Sequence, residues 1–421
     1  MQIKEIVSQS LNEKYYEIEH TSGLRIFVWP KEGYNSTYAV FGTPFGSIYN
    51  HFTVDGKEVH VPDGIAHYLE HKLFESEEGD AFSLYASTGA NANAYTSFDK
   101  TCYLFSCTNK FERCLEILLG FVTSPYFTPE TVQKEQGIIG QEIKMYDDSP
   151  DWRVMFNMLS AMYKNHPVRY DIAGTVETIA EIDAEKLYTC YNSYYNLRNM
   201  ALTIVGKVTV DQVLEICDKH LKECEEVKVE SHFPEEPYEV TEHYVEQILP
   251  VALPLFNLGF KASAPRRLTE KEIAYTDILL FLLASSTSPM YRELMDKGLI
   301  NASFAYEQFE GPGFNSIFFS GDSRDPKKVA EIMKEYIDRI KAEGITEEEF
   351  ENARRAVYGD SVSSLNSVDV TANLVEDFFF CGRNVFEYFD AVANATLSDV
   401  QQRLAEILDT SNSTLSVVKG G

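Results

Sequence analysis

The second half of this 421-residue chain repeats features of its first half, and this repetition restricts the possible folds more than any single motif does. The strand-like stretch around Leu202 matches the stretch around Leu415 at an offset of 213 residues, and the helix start at Thr128 matches the one at Thr346 at an offset of 218. Two matches at nearly one offset indicate a duplicated module of roughly 210 residues. Each module combines strand hairpins with long helices. This favours an α+β fold with two similar halves, each a mainly antiparallel sheet covered by helices, over a parallel βαβ array.

Hydrophobic periodicity predicts the elements of the first half. Alternating apolar residues predict strands, and apolar residues at helical spacing predict helices. We therefore predict strands at residues 23–29, 38–42, 93–95, 101–107 and 202–206, and helices at residues 64–74, 80–87, 110–122 and 129–147.

The two modules are joined by a segment of different composition. Residues 222–243 contain eight glutamates and two prolines, Pro234 and Pro237. Such a charged, proline-containing segment is typical of a solvated connection. The sequence therefore predicts a first domain over residues 1–228 and a second over residues 235–421.

Charge and cysteine content narrow the class of function. The chain has 37 lysines and arginines against 65 aspartates and glutamates, a net charge of −28, and such a surface repels phosphate backbones and anionic lipid headgroups. Seven cysteines with no C-x-x-C pair indicate neither a disulfide framework nor a thiolate zinc site. The N-terminus has no apolar signal region, and no stretch approaches the roughly 18 apolar residues of a membrane span. We therefore expect a soluble, cytoplasmic protein without nucleic-acid or membrane partners.

The string His67-Tyr68-Leu69-Glu70-His71 carries the clearest chemical signal. On a helix, residues four apart share a face, so His67 and His71 can present their imidazoles to one metal ion. Glu70 can lie over the same ion without binding it and take a proton from a water molecule activated by zinc. A third protein ligand has to come from elsewhere in the chain.

The third ligand is expected to be an acid on another helix. Glu135 and Glu142 lie seven residues apart within the predicted helix 129–147, so they share one face. One of them can bind the metal while the other steadies a histidine. The spacing alone leaves both assignments open.

With these two glutamates, the motif resembles the inverzincin metallopeptidases, which include pitrilysin, insulysin and the mitochondrial processing peptidase. Glu142 lies 71 residues beyond His71, and the resemblance implies that Glu142 is the third zinc ligand and that Glu135 supports the site. Residues 89–96 are similar to the edge strand of that family, beside which the substrate adds as a further strand. The resemblance therefore implies that Asn93 and Ala94 bind the peptide.

The same resemblance implies an incomplete molecule. Family members close two pairs of similar halves like a clamshell around a chamber, and this chain supplies one pair. Some bacterial members of this length are heterodimers in which one subunit holds zinc and a homologous subunit supplies an Arg and a Tyr for substrate. Here Met295 stands at the Arg position, and no Tyr follows Gly298 until Tyr306. We therefore expect a homologous partner subunit to supply that pair.

Other conspicuous residues are interpreted as structural. The spacing of the cysteines at positions 102, 107 and 114 is typical of core residues. His166 precedes a proline and is expected to cap a helix, and residues 311–313 are expected to form a simple turn.

Three functions remain open from the sequence. The first is a zinc endopeptidase that cuts peptides in a closed chamber. The second is a non-catalytic scaffold or assembly subunit, like the respiratory-complex core proteins that resemble this family. The complete set of His67, Glu70, His71 and Glu142 argues against that role, since a scaffold has no need of a base. The third is a maturation factor that acts on one dedicated peptide.

Overall fold

A computed structural model describes residues 1–77, 79–264 and 266–421. Its strands are β1 (Gln2–Ser8), β2 (Glu13–Glu19), β3 (Arg25–Pro30), β4 (Thr37–Thr43), β5 (His51–Val54), β6 (Lys57–His60), β7 (Glu75–Ser76), β8 (Gly79–Asp80), β9 (Asn91–Thr96), β10 (Thr101–Cys107), β11 (Ala201–Gly206), β12 (Val229–Ser231), β13 (Tyr244–Ile248), β14 (Leu255–Lys261), β15 (Ala305–Gly311), β16 (Phe314–Asp322) and β17 (Ser413–Lys419). Its α-helices are α1 (Ile65–Leu73), α2 (Ala81–Ala86), α3 (Phe111–Val122), α4 (Pro129–Asp147), α5 (Pro150–Met162), α6 (Val176–Ile179), α7 (Ala184–Tyr194), α8 (Val210–His220), α9 (Glu270–Ala284), α10 (Pro289–Asp296), α11 (Pro326–Glu343), α12 (Glu347–Ser364), α13 (Val368–Phe380), α14 (Val385–Asn394) and α15 (Leu397–Ile407).

The two main sheets repeat one strand order. The seven-stranded sheet runs β1-β2-β3-β11-β4-β10-β9, and the five-stranded sheet runs β13-β17-β14-β16-β15. Their shared five-strand pattern starts with a parallel pair, β3 with β11 and β13 with β17, and continues with antiparallel pairs only. The fold is therefore α+β with two similar halves, as the repeated sequence features predict.

The chain forms two compact units that are not continuous in sequence. The first contains Met1–Ile143, Asp171–His232 and Ser363–Val385, and the second contains the intervening segments and the C-terminus. Consequently α5 packs on β14 and β17 in the second unit, whereas α13 packs on β4 and β11 in the first. One boundary between the two units follows His232, inside the glutamate-rich segment. The division into domains at 1–228 and 235–421 stays a prediction.

The glutamate-rich segment is not solvated throughout, so that expectation is wrong for part of it. The Glu236 side chain is 8% exposed and accepts a bond from Lys261 Nζ at 2.7 Å. It also accepts the backbone N–H groups of Lys164, Asn165 and His166 at 2.7–2.8 Å. Four donors compensate the burial of this carboxylate, which fixes this part of the segment within the second unit.

One described segment, Glu270–Asp296, is long and apolar enough to cross a membrane by length and composition alone. This is weak evidence, because the core helix of a soluble protein passes the same test. Ile278, Leu279 and Leu283 of α9 are fully buried within the second unit. Their burial accounts for the apolar composition of this segment.

Candidate active site

Helix α1 holds three of the predicted site residues, and a glycine fixes its start. Gly64 has φ of 91°, and a Cβ there would lie 2.4 Å from the carbonyl oxygen of Ala173. Only glycine fits this left-handed, crowded position. From it α1 places His67 and His71 one turn apart with ring centroids 4.6 Å from each other. His67 and Glu70 are buried, and His71 is half-buried.

Helix α4 brings a carboxylate to both imidazoles. The Tyr68 hydroxyl donates to the Val132 carbonyl and so joins α1 to α4. Glu142 then lies with Oε1 at 3.7 Å from His67 Nε2 and Oε2 at 3.3 Å from His71 Nε2. The potential ligand atoms of His67, His71 and Glu142 all lie within 4.8 Å of one another.

Glu135 contacts the opposite edge of one imidazole. His71 Nδ1 donates to Glu135 Oε1 at 3.0 Å, which turns Nε2 of the same ring toward Glu142. Burial opposes a charge on His71, but the bonds to Glu135 and Glu142 outweigh it and raise the pKa of His71 to about 10. Burial likewise favours a neutral Glu135, yet the bond from His71 lowers the pKa of Glu135 below its usual value. Glu135 thus orients His71 without reaching His67.

His67 differs from His71 in charge state. Burial lowers the pKa of His67 to about 4, and the nearby His71 adds to this effect. His67 is therefore neutral near pH 7 and offers an unprotonated ring nitrogen. Two imidazoles and one carboxylate are the donor set of a zinc site that keeps a coordination position open, so these residues fit the metal on the chemistry of their donors.

Glu70 lies on the same helix as the two histidines and has its own partner. Thr96, the last residue of β9, donates its hydroxyl to Glu70 Oε2 at 2.6 Å. Burial raises the pKa of Glu70, and the bond from Thr96 only partly offsets this. This role of Thr96 was not predicted from the sequence.

Strand β9 forms an edge of its sheet beside these residues. Among the described residues, β10 is its only strand partner. A cavity of about 660 Å³ is lined by Asn93 and Ala94 of this strand together with Glu70, His71 and Glu135. The structure therefore brings the predicted peptide-binding residues and the predicted base to one cavity.

The second unit carries the residues at and near the positions where the resemblance implies an Arg and a Tyr for substrate. Met295 lies in the last turn of α10 with 39% of its surface exposed, and Arg292 is on the same helix. Tyr306 lies on β15, one of the two edge strands of the five-stranded sheet. Within the described ranges, the side chains placed to hold a metal all lie in the first unit.

The structural interpretations of other residues are confirmed. The His166 ring accepts the backbone N–H of Val168 and caps a short 3₁₀ helix. The cysteines at 102, 107 and 114 are buried. Gly311 ends β15 and Phe314 begins β16, so residues 311–313 contain the predicted turn.

Known proteins share this fold. Residues 57–176 match the family model Insulinase (Peptidase family M16), and residues 181–357 match Peptidase M16 inactive domain. The chain is 40% identical over 412 residues to the uncharacterized zinc protease YmfH of Bacillus subtilis, with 96% of each chain covered. It is 33% identical to a crystal structure described as an M16-like peptidase from Alicyclobacillus acidocaldarius, with a TM-score of 0.93 and 97% and 98% of the two chains covered. It also shares the fold of pitrilysin at 16% identity and a TM-score of 0.77, where it covers 46% of that chain.

Proposed function

The chain belongs to the insulinase-like M16 peptidase family, and on this premise we propose that it is a zinc-dependent endopeptidase. The observation that carries the proposal is the convergence of His67, His71 and Glu142 within 4.8 Å, with the buried carboxylate of Glu70 on the same helix. In the proposed site those three residues hold the metal, Glu70 is the general base and Glu135 supports His71.

When bound there, zinc supplies a Lewis acid that polarises a peptide carbonyl and lowers the pKa of water. The protein's own residues prepare this chemistry. Neutral His67 binds without losing a proton, whereas His71 gives up the proton that Glu142 and Glu135 stabilise. Glu135 keeps the ring of His71 in place during that exchange.

Glu70 moves the protons of the hydrolysis. Its Oε2 is held by the Thr96 hydroxyl, so Oε1 is the oxygen available to accept a proton from water. A raised pKa brings the carboxylate closer to neutrality, which suits a group that takes a proton from water and returns it to the leaving amine. Burial also excludes bulk water from this exchange.

The substrate is proposed to be a peptide that adds to β9. The free edge of this strand offers main-chain donors and acceptors, and the small side chain of Ala94 lets another backbone approach. Main-chain bonding makes little demand on the peptide's sequence. One dedicated substrate is therefore not required by this geometry.

We further propose that a homologous subunit completes the enzyme. The chain covers 46% of pitrilysin, so more than half of pitrilysin has no counterpart among these residues. Met295 stands where the resemblance places a substrate-binding Arg, and the partner is proposed to bring that Arg and a Tyr. The seven cysteines form no disulfide in the described structure, which favours the reducing cytoplasm as the compartment.

Metal removal and return tests the function. Cleavage of a panel of unstructured peptides is measured by mass spectrometry. We expect a chelator to abolish this cleavage and about one equivalent of zinc to restore it. Glu142→Gln, treated identically, is the matched control and should not recover. Cleavage that persists at the original rate without metal contradicts the proposal. If zinc-loaded protein cleaves nothing, alone or with a homologous subunit, the scaffold or assembly role takes its place.

A further inference from the structure

A second group of metal-binding side chains lies on the β5–β6 hairpin, outside the site described above. It consists of His51 on β5 with Glu58 and His60 on β6, and its potential ligand atoms also lie within 4.8 Å of one another. We propose that this group, named here the hairpin site, binds a divalent transition metal such as Zn²⁺.

The turn fixes which side chains share this face. Asp55 and Gly56 connect the strands with φ of 50° and 74°, the left-handed pair that a two-residue hairpin turn requires. This register puts His51 directly opposite His60. Glu58 is two residues before His60 and therefore points to the same face.

The opposite face of the hairpin is anchored in the first unit. Phe52 is fully buried and its ring packs edge-on against Tyr194 at 5.0 Å. Because neighbouring residues of a strand point to opposite faces, this anchor holds His51 on the outer face. The hairpin is therefore a fixed scaffold rather than a free loop.

The donor atoms already converge on one point. His51 Nε2 lies 2.7 Å and His60 Nε2 lies 3.5 Å from the same oxygen, Glu58 Oε1. The two rings stack with centroids 3.9 Å apart, which aligns their nitrogens. To bond Glu58, an imidazole has to carry a proton on the nitrogen that faces the carboxylate. A metal ion can take the place of that proton between the same three groups.

The chemistry of the donors selects the class of ion. Two imidazoles and one carboxylate suit zinc, copper, nickel or cobalt, whereas magnesium and calcium prefer oxygen ligands throughout. His232 continues the row of histidines with its ring 4.8 Å from His51, but its Nε2 is bonded to Thr53 Oγ1 at 2.7 Å. The side chains of Glu58 and His60 are 65% and 68% exposed, so water completes the coordination. Exposed side chains lose rotamer freedom on binding, so this site is weaker than the one on α1.

The hairpin site is connected to the start of α1. The backbone N–H of Val61 donates to the Asn50 carbonyl at 2.9 Å, and Asn50 Nδ2 donates to Asp63 Oδ1 at 2.9 Å. These bonds tie the end of the hairpin to the loop that enters α1 at Ile65. Metal at the hairpin therefore stabilises the approach to the proposed catalytic helix.

Zinc binding to a chain without the α1 site tests this proposal separately from the proposed function. In the full-length His67→Ala/His71→Ala chain, we expect equilibrium dialysis against zinc chloride to show about one remaining zinc per chain. Adding His60→Gln or Glu58→Gln should lower the affinity for that zinc by about tenfold or more. Magnesium chloride should not compete.

His220→Gln in the same background is the matched control. His220 is a partly exposed histidine 3.9 Å from one glutamate, Glu116, and should leave the zinc unchanged. Circular dichroism verifies that each variant is folded. Absence of zinc from the His67→Ala/His71→Ala chain overturns the hairpin site, and so does zinc binding that neither His60→Gln nor Glu58→Gln weakens.

Discussion

At the scale of single residues, two carboxylates of α4 have different roles in the candidate site. Glu142 faces both histidines, whereas Glu135 contacts only Nδ1 of His71. We expect Glu142→Gln to lose the zinc of the site on α1, because it removes a proposed ligand. Glu135→Gln should keep zinc at saturation with an affinity lowered by about 10–100-fold, because only the orientation of His71 suffers.

Competition with a chromophoric chelator measures both affinities on matched samples. His166→Gln controls for the loss of an ionisable group from a buried position outside the site. Full retention of zinc by Glu142→Gln, together with its loss from Glu135→Gln, would reverse the two roles.

Much of the site could be predicted at the residue scale, and the remainder has a clear physical cause. His67, Glu70 and His71 follow from helical spacing alone. Glu135 and Glu142 are equivalent by that criterion, because two turns of α4 separate them and only the packing of α4 on α1 distinguishes them. Thr96 could not be predicted as a partner of Glu70, since their bond depends on where an edge strand passes a helix distant in sequence.

At the scale of secondary-structure elements, α13 carries a second buried acid. Glu376 is fully buried where α13 packs on β4 and β11, and the Thr203 hydroxyl donates to it. A Cβ at Gly42 would lie 2.6 Å from Glu376 Oε1, so β4 needs glycine to admit this side chain. Burial raises the pKa of Glu376 well above its ordinary value.

This burial predicts a pH dependence of stability. A carboxyl whose pKa is raised in the folded state contributes stability below its ordinary pKa of about 4.5, and this contribution is lost as the pH rises through the folded-state pKa. We expect the urea midpoint of the parent chain to fall between pH 5 and 9. Glutamine at position 376 cannot ionise, so the urea midpoint of Glu376→Gln should fall less. At pH 9 its free energy of unfolding should have gained roughly 1–3 kcal/mol relative to the parent chain.

Glu348→Gln, an exposed acid on α12, is the control and should follow the parent curve. Parallel curves for the parent chain and Glu376→Gln would show that folding does not raise the pKa of Glu376. The predicted contribution of its burial would then be wrong.

Secondary structure could be predicted where the pattern is local. The predictions for α4 and β10 match the structure at both ends, and those for β3 and β4 differ by one to two residues at each end. Strand β1 was missed because its side chains are mostly exposed and show no apolar alternation. The placement of α5 and α13 in the unit of the other half could not be predicted, since their amphipathic faces fit either sheet.

At the scale of the whole molecule, we expect this chain alone to be a poor peptidase. Positioning the scissile bond and stabilising the developing charge need further donors, which the partner is proposed to supply. Mixing with a homologous chain that carries the Arg and the Tyr should raise turnover of unstructured peptides by about 10²–10³-fold. Robust turnover by the isolated, zinc-loaded chain would show that no partner is needed.

The most direct test of the central claim is the peptide hydrolysis rate of zinc-loaded Glu70→Gln, measured beside the parent chain. Glutamine keeps the size of Glu70 and can retain a bond with Thr96, but it cannot accept a proton from water. We predict a rate about 10²–10⁴-fold lower with zinc content unchanged. Glu130→Gln, an exposed acid on α4, should hydrolyse at the parent rate. Hydrolysis by zinc-loaded Glu70→Gln at the parent rate would contradict the proposed mechanism.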